Sequence, residues 1–465
     1  MSVRLFNHYF NVPFLLLGLG EALVFVLSVY FAMTYCSFGN ICGSIDNGQL
    51  MPQAFMVSVI MLLSLLAMGL YQTRLEGYTY VIARIIMGFV VGGAVILALA
   101  TAFSAIKLDM HSTLFLLLVS FLSVCLLRFL FLQTVDTSLL KRRVLVYGAG
   151  RKADAIMNRF RNKIDQRGFE IVGFVHTEGD PDSCPDKRIL RPGKSLCDFA
   201  RELGVDELVD AIDDRRSKLP LRELLDCKAH GVNVINLLTF FERETGSVNV
   251  NLLDPSWIIF SDGFKQTTLK AAFKRVLDVM VSLVLLLVTW PLMILVALAI
   301  WLESNCKGPV LYTQYRVGQK GREFKIYKFR SMRTDAEKEG KAVWASQGDS
   351  RVTRVGAFIR KTRMDELPQI FNILKGNMSF VGPRPERPEF DHVLREKIAY
   401  YDQRNQIKPG LTGWAQLCYP YGASDQDALE KLQYDLYYVK NQSIFLDLII
   451  IFRTIEVILF GKGAR

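Results

Sequence analysis

The segment Val144-Leu-Val-Tyr-Gly-Ala-Gly-Arg-Lys-Ala153 predicts a strand, a glycine turn and the start of a helix. Its apolar, partly β-branched residues favour a buried strand. The glycines would let the backbone approach a pyrophosphate at the N-terminus of the helix. Further strands are predicted at 170–176, 207–211 and 232–237, with helical stretches between them. Alternating strands and helices indicate a doubly wound, parallel, Rossmann-like (CoA-binding-like) α/β module, which we place at 141–245.

The glycine turn alone is a weak indication of a dinucleotide site. The second strand ends in Gly173-Phe-Val-His176-Thr177, where a dinucleotide-binding protein usually has Asp or Glu for the ribose. Glu178 and Asp180 lie near this point but out of register. We therefore expect no NAD and interpret the module as structural or regulatory, with NAD binding as the alternative.

Four apolar runs precede this module, and each approaches the roughly 20 residues that a helix needs to cross a bilayer. They lie at about 12–36, 53–72, 82–106 and 113–133. The loop 38–51 has no Lys or Arg, whereas Lys141-Arg-Arg143 closes the fourth run. By the positive-inside rule, both ends of the bundle lie in the cytosol. We therefore predict a four-helix transmembrane bundle at 1–140 and a multi-pass protein of the bacterial inner membrane.

The composition narrows the possible partners. The 465 residues are 51% hydrophobic and 22% charged, with a formal net charge of +11. With membrane segments present, this basic balance favours a membrane surface and phosphate-bearing substrates over nucleic acid. The eight cysteines form no Cys-x-x-Cys or other zinc-like cluster, and the five histidines are not clustered either.

A fifth apolar segment follows a predicted linker at 246–272. It begins with Lys274-Arg275-Val-Leu-Asp278 and has Pro291 at its centre. A proline inside a helix removes a hydrogen bond and kinks the helix. Basic residues lie on both sides, which favours a re-entrant membrane helix-break-helix at 273–303 over a fifth spanning helix. A spanning helix would place everything after residue 303 outside the cytosol.

The region after residue 303 contains residue types suited to phosphoryl transfer. Its basic residues could supply several cations to one cleft, because the arginine fork fits phosphate oxygens. These residues are Arg316, Lys328, Arg330, Arg351, Arg360 and Arg384. Asp365 and Glu366 are adjacent, so their side chains diverge and cannot readily share one proton. They fit separate roles, one as nucleophile and one as ligand to a hard cation such as Mg²⁺.

The order of these strings carries a resemblance. They are Gly308-Pro309…Gln314-Tyr-Arg316, Lys328-Phe-Arg330-Ser-Met332, Asp349-Ser-Arg351, Arg360…Asp365-Glu366-Leu-Pro368-Gln369, Gly382-Pro383-Arg384-Pro385 and Lys408-Pro-Gly-Leu-Thr-Gly-Trp414. From about Lys274 to Phe460 the chain resembles the bacterial sugar transferase family, the monotopic polyprenyl-phosphate phosphoglycosyl transferases. With its bundle and α/β module it is similar to the long members that initiate exopolysaccharide or O-antigen synthesis. The resemblance implies an α-rich or α+β catalytic domain at 304–465.

The resemblance also implies a mechanism. Asp365 would attack the β-phosphate of a UDP-sugar, UMP would leave, and polyprenyl phosphate would take the phosphosugar from the aspartyl intermediate. Glu366 would help to hold Mg²⁺, with Mn²⁺ as an alternative. Family positions near the phosphates and the nucleotide match Arg360 and Pro383-Arg384-Pro385, and those at the start of the membrane hairpin match Lys274, Arg275 and Asp278. We count Arg316, Lys328, Arg330, Arg351 and Gln369 with the substrate-binding residues.

Two departures from the family pattern stand out. Trp290 precedes the hairpin proline where many members have serine, and Arg363 stands two residues before Asp365 where many have serine. The extra cation at Arg363 is either a variant of the phosphate site or a surface residue. The sugar is not fixed by the sequence, and a homodimer is compatible with it.

Two other functions are compatible with parts of this sequence. Membrane-bound NAD-dependent nucleotide-sugar dehydratases or epimerases also place a Rossmann unit after four spanning helices. Residues 144–245 contain no Tyr-x-x-x-Lys-type pair and are too few for a full catalytic domain. A scaffold for polysaccharide export would explain the bundle but leave the strings after residue 303 without a role.

Overall fold

The computed structural model describes most of the chain. The described residues are 2–5, 8–38, 47–71, 78–102, 110–135, 141–160, 166, 168–177, 188–191, 193–213, 220–253, 257, 263–264, 267–306, 308–334, 351–419, 422, 424 and 425–460. Apart from the first few residues, they divide into two compact units, one ending at Thr245 and the other beginning at Gly246. Glu178 and Asp180, named above, lie outside the described residues.

The first unit begins with a small strand pair and continues into four long helices. Strands β1 (Ser2–Leu5) and β2 (His8–Asn11) pair with each other. The helices are α1 (Val12–Phe38), α2 (Asn47–Ala67), α3 (Tyr78–Ala102) and α4 (Met110–Val135). Each contains a stretch long and apolar enough to cross a membrane. Large apolar side chains are exposed on them, for example Phe55 (71%), as expected of helices that face lipid. The predicted apolar bundle is confirmed, and the chain is a membrane protein.

A buried ion pair lies among these helices. Glu21 of α1 and Arg128 of α4 are both buried and form an ion pair of 2.6 Å between Oε1 and Nε. Arg128 also donates to the carbonyl of Leu70 (3.1 Å), and the Tyr71 hydroxyl donates to Glu21. Pairing is what makes charges tolerable among apolar helices. This network ties α1 and α4 to the end of α2.

The rest of the first unit is a five-stranded parallel sheet. Its strands are β3 (Arg142–Tyr147), β4 (Phe169–Val175), β5 (Ile189–Leu190), β6 (Glu207–Asp210) and β7 (Asn233–Asn236). Their order is β5-β4-β3-β6-β7. The helices are α5 (Arg151–Arg159), α6 (Leu196–Glu202), α7 (Leu221–Ala229) and α8 (Leu237–Thr245). Central strand residues such as Val144 and Leu145 are fully buried. The predicted parallel α/β module is confirmed, and its likeness to a dinucleotide-binding fold stays a prediction.

The second unit combines helices with two small sheets. A 3₁₀ turn (Val250–Leu252) is followed by α9 (Thr268–Glu303) and the antiparallel pair β8 (Leu311–Val317) and β9 (Glu323–Phe329). Next come α10 (Arg354–Lys361), a 3₁₀ turn (Met364–Glu366) and α11 (Gln369–Lys375). Strands β10 (Ser379–Val381) and β11 (Gly410–Thr412) pair in parallel. Between them in the sequence lie α12 (Pro388–Lys397) and a 3₁₀ segment (Tyr401–Gln406). The last helices are α13 (Trp414–Cys418), α14 (Asp425–Asn441) and α15 (Ile444–Phe460).

The beginning of the predicted linker at 246–272 packs into the core of this unit. Val248 and Val250 are buried in the same apolar cluster as Trp414 and Tyr437. The Val248 amide donates to the carbonyl of Gln433 at 2.9 Å. These two apolar residues gain burial by packing against the core of the second unit, and the linker at 246–272 stays a prediction.

Helix α9 is continuous across the predicted break, and the re-entrant topology of 273–303 stays a prediction. It runs through Pro291 without a non-helical residue. Proline lacks the N–H that would bind the carbonyl four residues earlier, so a helix can continue through it with one hydrogen bond missing. The first half of α9 packs on the main core through Val281 and Leu285. Its second half packs through Val296 and Ile300 against Ile359.

Candidate active site

The adjacent carboxylates lie in a tight turn between two helices. Helix α10 ends near Thr362, and Arg363 adopts a left-handed conformation with φ of 59°. Left-handed residues commonly terminate helices, and a side chain other than glycine makes this conformation costly. The Arg363 carbonyl then accepts from the Glu366 amide at 3.2 Å, which closes the 3₁₀ turn. The turn therefore presents Asp365 and Glu366 just before α11.

Glu366 is buried and held by two cations. Lys328 Nζ and Arg384 Nη2 each donate to its Oε1 at 2.9 Å. Burial by itself would raise the pKa of Glu366, but the charges of Lys328 and Arg384 outweigh it and hold the pKa well below its usual range. Glu366 is therefore a fixed, ionised carboxylate at neutral pH.

Asp365 is in a different state from its neighbour. Its carboxylate accepts no hydrogen bond from any residue that the structure describes. Burial raises its pKa, and the charge of Glu366 raises it further, while Lys328, Arg363 and Arg384 act in the opposite direction. The two carboxylates therefore differ: Glu366 is bound by two cations, whereas Asp365 accepts no hydrogen bond within the described residues. Arg363, which the sequence left open, contributes charge to this site.

The loop Gly382-Pro-Arg-Pro385 is fixed through its backbone by two arginines. Arg404 donates from Nη2 to the carbonyl of Arg384 at 2.9 Å, and Arg316 donates from Nη1 to the carbonyl of Pro385 at 3.2 Å. Arg404 is itself buried and bound by Asp435 (Nε–Oδ2, 3.0 Å) and the Tyr401 hydroxyl (2.9 Å). With its backbone held in this way, the Arg384 side chain is directed to Glu366.

The predicted hairpin residues attach α9 to the strand and helix that carry the site. Asp278 accepts from Ser379 Oγ (2.9 Å) and from the Phe380 amide (3.0 Å) in β10. Lys274 Nζ donates to the carbonyl of Val381 (3.1 Å) and pairs with Asp447 (2.8 Å). Arg275 donates to the carbonyls of Ile373 (2.5 Å) and Leu374 (2.7 Å) at the end of α11. Because β10 leads directly into Gly382-Pro-Arg-Pro385, these contacts help to position that loop.

The structure brings together only some of the predicted site residues. Lys328, Arg384, Asp365 and Glu366 form one cluster, and Arg316 and Pro385 adjoin it through the loop. Arg360 lies in the last turn of α10, and its guanidinium has no hydrogen bond or ion pair within the described residues. Gln369 is buried at the start of α11, and Arg330 Nη1 is buried near Gly308. The carbonyl of Arg351 accepts from the Arg333 amide at 2.9 Å, beside the undescribed segment 335–350.

Sequence reasoning missed Arg404, Asp435 and Asn372. Asn372 is fully buried and joins α11 to β9, because it accepts from the Tyr327 amide (3.0 Å) and donates to the Lys325 carbonyl (2.7 Å). A usable signal existed for Asp435, which lies within Tyr434-Asp-Leu-Tyr-Tyr438, an otherwise apolar run. A lone charge in a buried run usually has a partner. No comparable signal marked Arg404 or Asn372.

The carboxylates fit a Mg²⁺ ion only in combination with substrate phosphates. Mg²⁺ is usually bound by one or two carboxylates together with phosphate oxygens and waters. Here Oε1 of Glu366 already accepts from Lys328 and Arg384. The second oxygen of Glu366 and the carboxylate of Asp365 remain as hard oxygen donors. This donor set suits a cation that arrives with a diphosphate.

The glycine turn of the first unit has its anion-binding position filled by the chain itself. The carboxylate of Asp213 accepts from the amides of Arg151 and Lys152, both at 2.9 Å, at the N-terminus of α5. Lys152 Nζ in turn donates to the carbonyl of Ile212 at 3.0 Å. A Cβ on Gly148 would lie 2.7 Å from the carbonyl oxygen of Ala211, so this glycine is required by packing within the module. The dinucleotide motif is therefore explained without a bound nucleotide.

Comparison with known proteins decides the family. The family model described as bacterial sugar transferase matches residues 269–461. The chain is 33% identical over 405 residues to the undecaprenyl-phosphate glucose phosphotransferase of Komagataeibacter xylinus, which covers 83% of this chain and 72% of that protein. The chain belongs to the bacterial sugar transferase family. The resemblance predicted from the strings after residue 303 is confirmed, and this sugar transferase is an enzyme.

Two other relatives place this sugar transferase among proteins with different sugars in their names. It is 42% identical over 244 residues to the UDP-N-acetylgalactosamine-undecaprenyl-phosphate N-acetylgalactosaminephosphotransferase of Aeromonas hydrophila, and the match covers 52% of this chain and 56% of that protein. It is 26% identical over 474 residues to the undecaprenyl-phosphate galactose phosphotransferase of Salmonella typhimurium, with 96% of both chains covered. The latter match extends the likeness over the bundle and the α/β module.

Proposed function

We propose that this enzyme transfers a sugar-1-phosphate from a UDP-sugar to undecaprenyl phosphate and releases UMP, with Asp365 as a covalent nucleophile. The observation that carries the proposal is the division of the carboxylate pair. Glu366 is fixed by Lys328 and Arg384, whereas Asp365 accepts no hydrogen bond within the described residues. A nucleophile must have a carboxylate oxygen free to attack, and of the two carboxylates only that of Asp365 accepts no hydrogen bond within the described residues.

The reaction follows as two displacements at one phosphorus atom. A carboxylate oxygen of Asp365 forms a bond to the β-phosphorus, the bond to the bridging oxygen breaks, and UMP leaves with that oxygen. A phosphate oxygen of the lipid then attacks the same phosphorus, and the Asp365 carboxylate is regenerated. Lys328 and Arg384 lie where negative charge accumulates and would stabilise it, which is the main requirement in phosphoryl transfer.

A Mg²⁺ ion is part of the proposal, with Mn²⁺ as the alternative. Glu366 is the residue that would hold it, through the oxygen that does not bind the two cations. When bound, the ion would neutralise charge on the diphosphate of the donor.

We also propose that α9 bends at Pro291 and returns to the face of the membrane from which it entered. Arg275 contacts the end of α11, while Val296 packs in a cluster with Met364 and Leu367, just before α11. A straight helix would separate residues 275 and 296 by about 32 Å, at 1.5 Å per residue. The segment from Met364 to Leu374 spans about 17 Å or less at helical rises. A bend would absorb the difference.

The exposure of apolar side chains along α9 supports the same topology. Exposure is greatest near the proline, at Leu287 (74%) and Val288 (70%). This is the region that would reach deepest into lipid in a hairpin. Both soluble parts would then lie in the cytosol, where UDP-sugars are found. We further propose that the reaction is the first membrane step of exopolysaccharide or O-antigen synthesis, and the relatives leave the sugar undecided.

The decisive experiment measures UMP release by the purified protein with undecaprenyl phosphate and a panel of UDP-sugars. We expect Asp365→Asn to lose activity by about a thousandfold or more, because a covalent step has no substitute nucleophile. Mass spectrometry of the protein incubated with UDP-sugar alone should show a phosphosugar adduct that Asp365→Asn lacks. The control is Glu389→Gln, an exposed carboxylate in the first turn of α12, which should retain wild-type turnover. Near-native activity of Asp365→Asn would show that the nucleophile is wrongly assigned.

The topology is tested by labelling single cysteines from outside intact cells. Cysteines placed at exposed positions after residue 303, such as Lys325, should remain unlabelled until the cells are opened. Efficient labelling in intact cells would establish a spanning helix in place of the hairpin.

A further inference from the structure

Two neighbouring helices of the α/β module bring together four metal-binding side chains outside the proposed active site. Cys197 lies on α6, and Asp226, Cys227 and His230 lie on or directly after α7. Ligand atoms of Cys197, Asp226 and His230 all lie within 4.8 Å of one another. Cys227 is buried in the same apolar cluster as Cys197. No zinc-like spacing is visible in the sequence, because Cys197 is about thirty positions from the other three residues.

The spacing on α7 places three of these side chains on one face. At about 100° per residue, Asp226, His230 and Cys227 fall within an arc of roughly 100°, with His230 between the other two. The facing helix supplies Cys197. This gives two thiols, one imidazole and one carboxylate, a donor set typical of tetrahedral Zn²⁺ sites.

The frame that carries the donors is fixed. Ser195 caps the N-terminus of α6, accepting from the Asp198 amide at 3.2 Å. Glu223 of α7 accepts from the Leu196 amide at 3.3 Å, which links the two helices beside Cys197. Cys197 and Cys227 are buried in the apolar core of the module, whereas the side chains of Asp226 and His230 are about half exposed, so an ion has an entry path.

The distances require only a small contraction. In a tetrahedral Zn²⁺ site with standard bond lengths the ligand atoms are about 3.5 Å apart. The Oδ1 of Asp226 already lies 3.3 Å from Nδ1 of His230. The ligand atoms of Cys197, Asp226 and His230, which lie within 4.8 Å of one another, would have to approach by about 1 Å to reach this spacing. His230 Nδ1 also lies 2.9 Å from the Asp226 carbonyl, and this contact would be given up when the same nitrogen binds the ion.

We propose that Cys197, Asp226, Cys227 and His230 form a Zn²⁺ site that fastens α6 to α7. The site is independent of the proposed transfer reaction, since none of its residues belongs to the unit that carries Asp365. Its consequence is stabilisation of the α/β module when the ion is bound, because an ion that binds only the folded state stabilises it.

The test is titration of the reduced, metal-stripped full-length protein in detergent with Zn²⁺ against a chromophoric chelator, and with Co²⁺ as a spectroscopic probe. We expect one equivalent to bind, with a thiolate-to-Co²⁺ absorption band and a raised melting temperature of the module. His230→Gln should weaken Zn²⁺ binding at least about tenfold. This residue is half exposed, so the variant tests the site without disturbing the core. Cys197→Ser should weaken the thiolate band, because only the Cys227 thiolate would remain, and Cys197→Ser/Cys227→Ser should abolish it.

A matched control is available elsewhere in the chain. His392 and Glu396 form another exposed pair of a histidine and a carboxylate four residues apart, with 3.6 Å between Nδ1 and Oε1. No described cysteine accompanies them in a metal-binding group. His392→Gln should leave Zn²⁺ affinity and the Co²⁺ spectrum unchanged. Equal affinities of wild type and His230→Gln, or a Co²⁺ complex without the thiolate band, would overturn the proposal.

Discussion

The two units each contain groups of the chemical kind that bind phosphate, and they differ in whether contacts within the chain already occupy those groups. At the glycine turn, the amides of Arg151 and Lys152 are occupied by the Asp213 carboxylate. Around the 3₁₀ turn, Lys328 and Arg384 occupy Glu366 and leave Asp365 without a hydrogen bond among the described residues. A motif shows which groups are present. Only the contacts in the folded chain show whether one of these groups remains available to react.

The largest expected effect concerns the buried ion pair of Arg404 and Asp435, which holds the loop that carries Arg384. Arg404→Met would leave Asp435 buried without its cation, which typically costs about 3–5 kcal/mol of unfolding free energy. The double variant Arg404→Met/Asp435→Leu should recover most of that stability, because a buried ion pair can be replaced by apolar groups. It should not recover turnover, because the Arg384 carbonyl has lost its donor. Thermal melts and kcat/KM for UMP release measure the two quantities separately.

The control for this experiment is a surface pair. Lys397 and Asp425 are 2.6 Å apart with both side chains about half exposed, and Lys397→Met should change stability by less than about 1 kcal/mol. If the double variant regained both stability and turnover, Arg404 would be structural only, and the fixed loop would not matter for the site.

A smaller effect is expected from weakening the cation cluster. Lys328→Met removes one of the two donors to Glu366, and we expect a loss of about 10-fold to 100-fold in kcat/KM, the usual worth of one charged hydrogen bond. It should also move the acid limb of the pH profile. Asp365 must be ionised to attack, so activity falls as the pH drops through its pKa. Lys328 lowers that pKa, so its removal raises the pKa and moves the limb to higher pH.

Lys325→Met on the same strand is the control, since Lys325 is exposed and packs over Tyr315. It should leave the acid limb in place. A limb that stayed fixed in Lys328→Met as well would mean that a group other than Asp365 sets it.

These contrasts show what the sequence could predict. Apolar runs and alternating strands gave the bundle and the parallel sheet because hydrophobic periodicity is local. The strings around Asp365 and Glu366 indicated the family because these motifs are also local in the sequence. The support from Arg404 and Asp435 could not be read, because these residues meet only through folding and are 31 positions apart. The filling of the glycine turn by Asp213 was equally hidden, since that contact spans 62 positions to Arg151.

The smallest expected effect concerns the glycine turn, where Asp213 accepts from the amides of Arg151 and Lys152. Asp213→Ala removes the acceptor for two helix N-terminal amides, which usually costs about 1 kcal/mol. Asp154→Ala is the control, because Asp154 lies in the same first turn and does not accept from these amides. UMP release should be unchanged in both variants. The wild-type protein should show no saturable binding of NADH by fluorescence, because the position for a pyrophosphate already holds a carboxylate. Saturable binding to the wild type would mean that Asp213 yields to a ligand, and the two sites would then differ in affinity and not in kind.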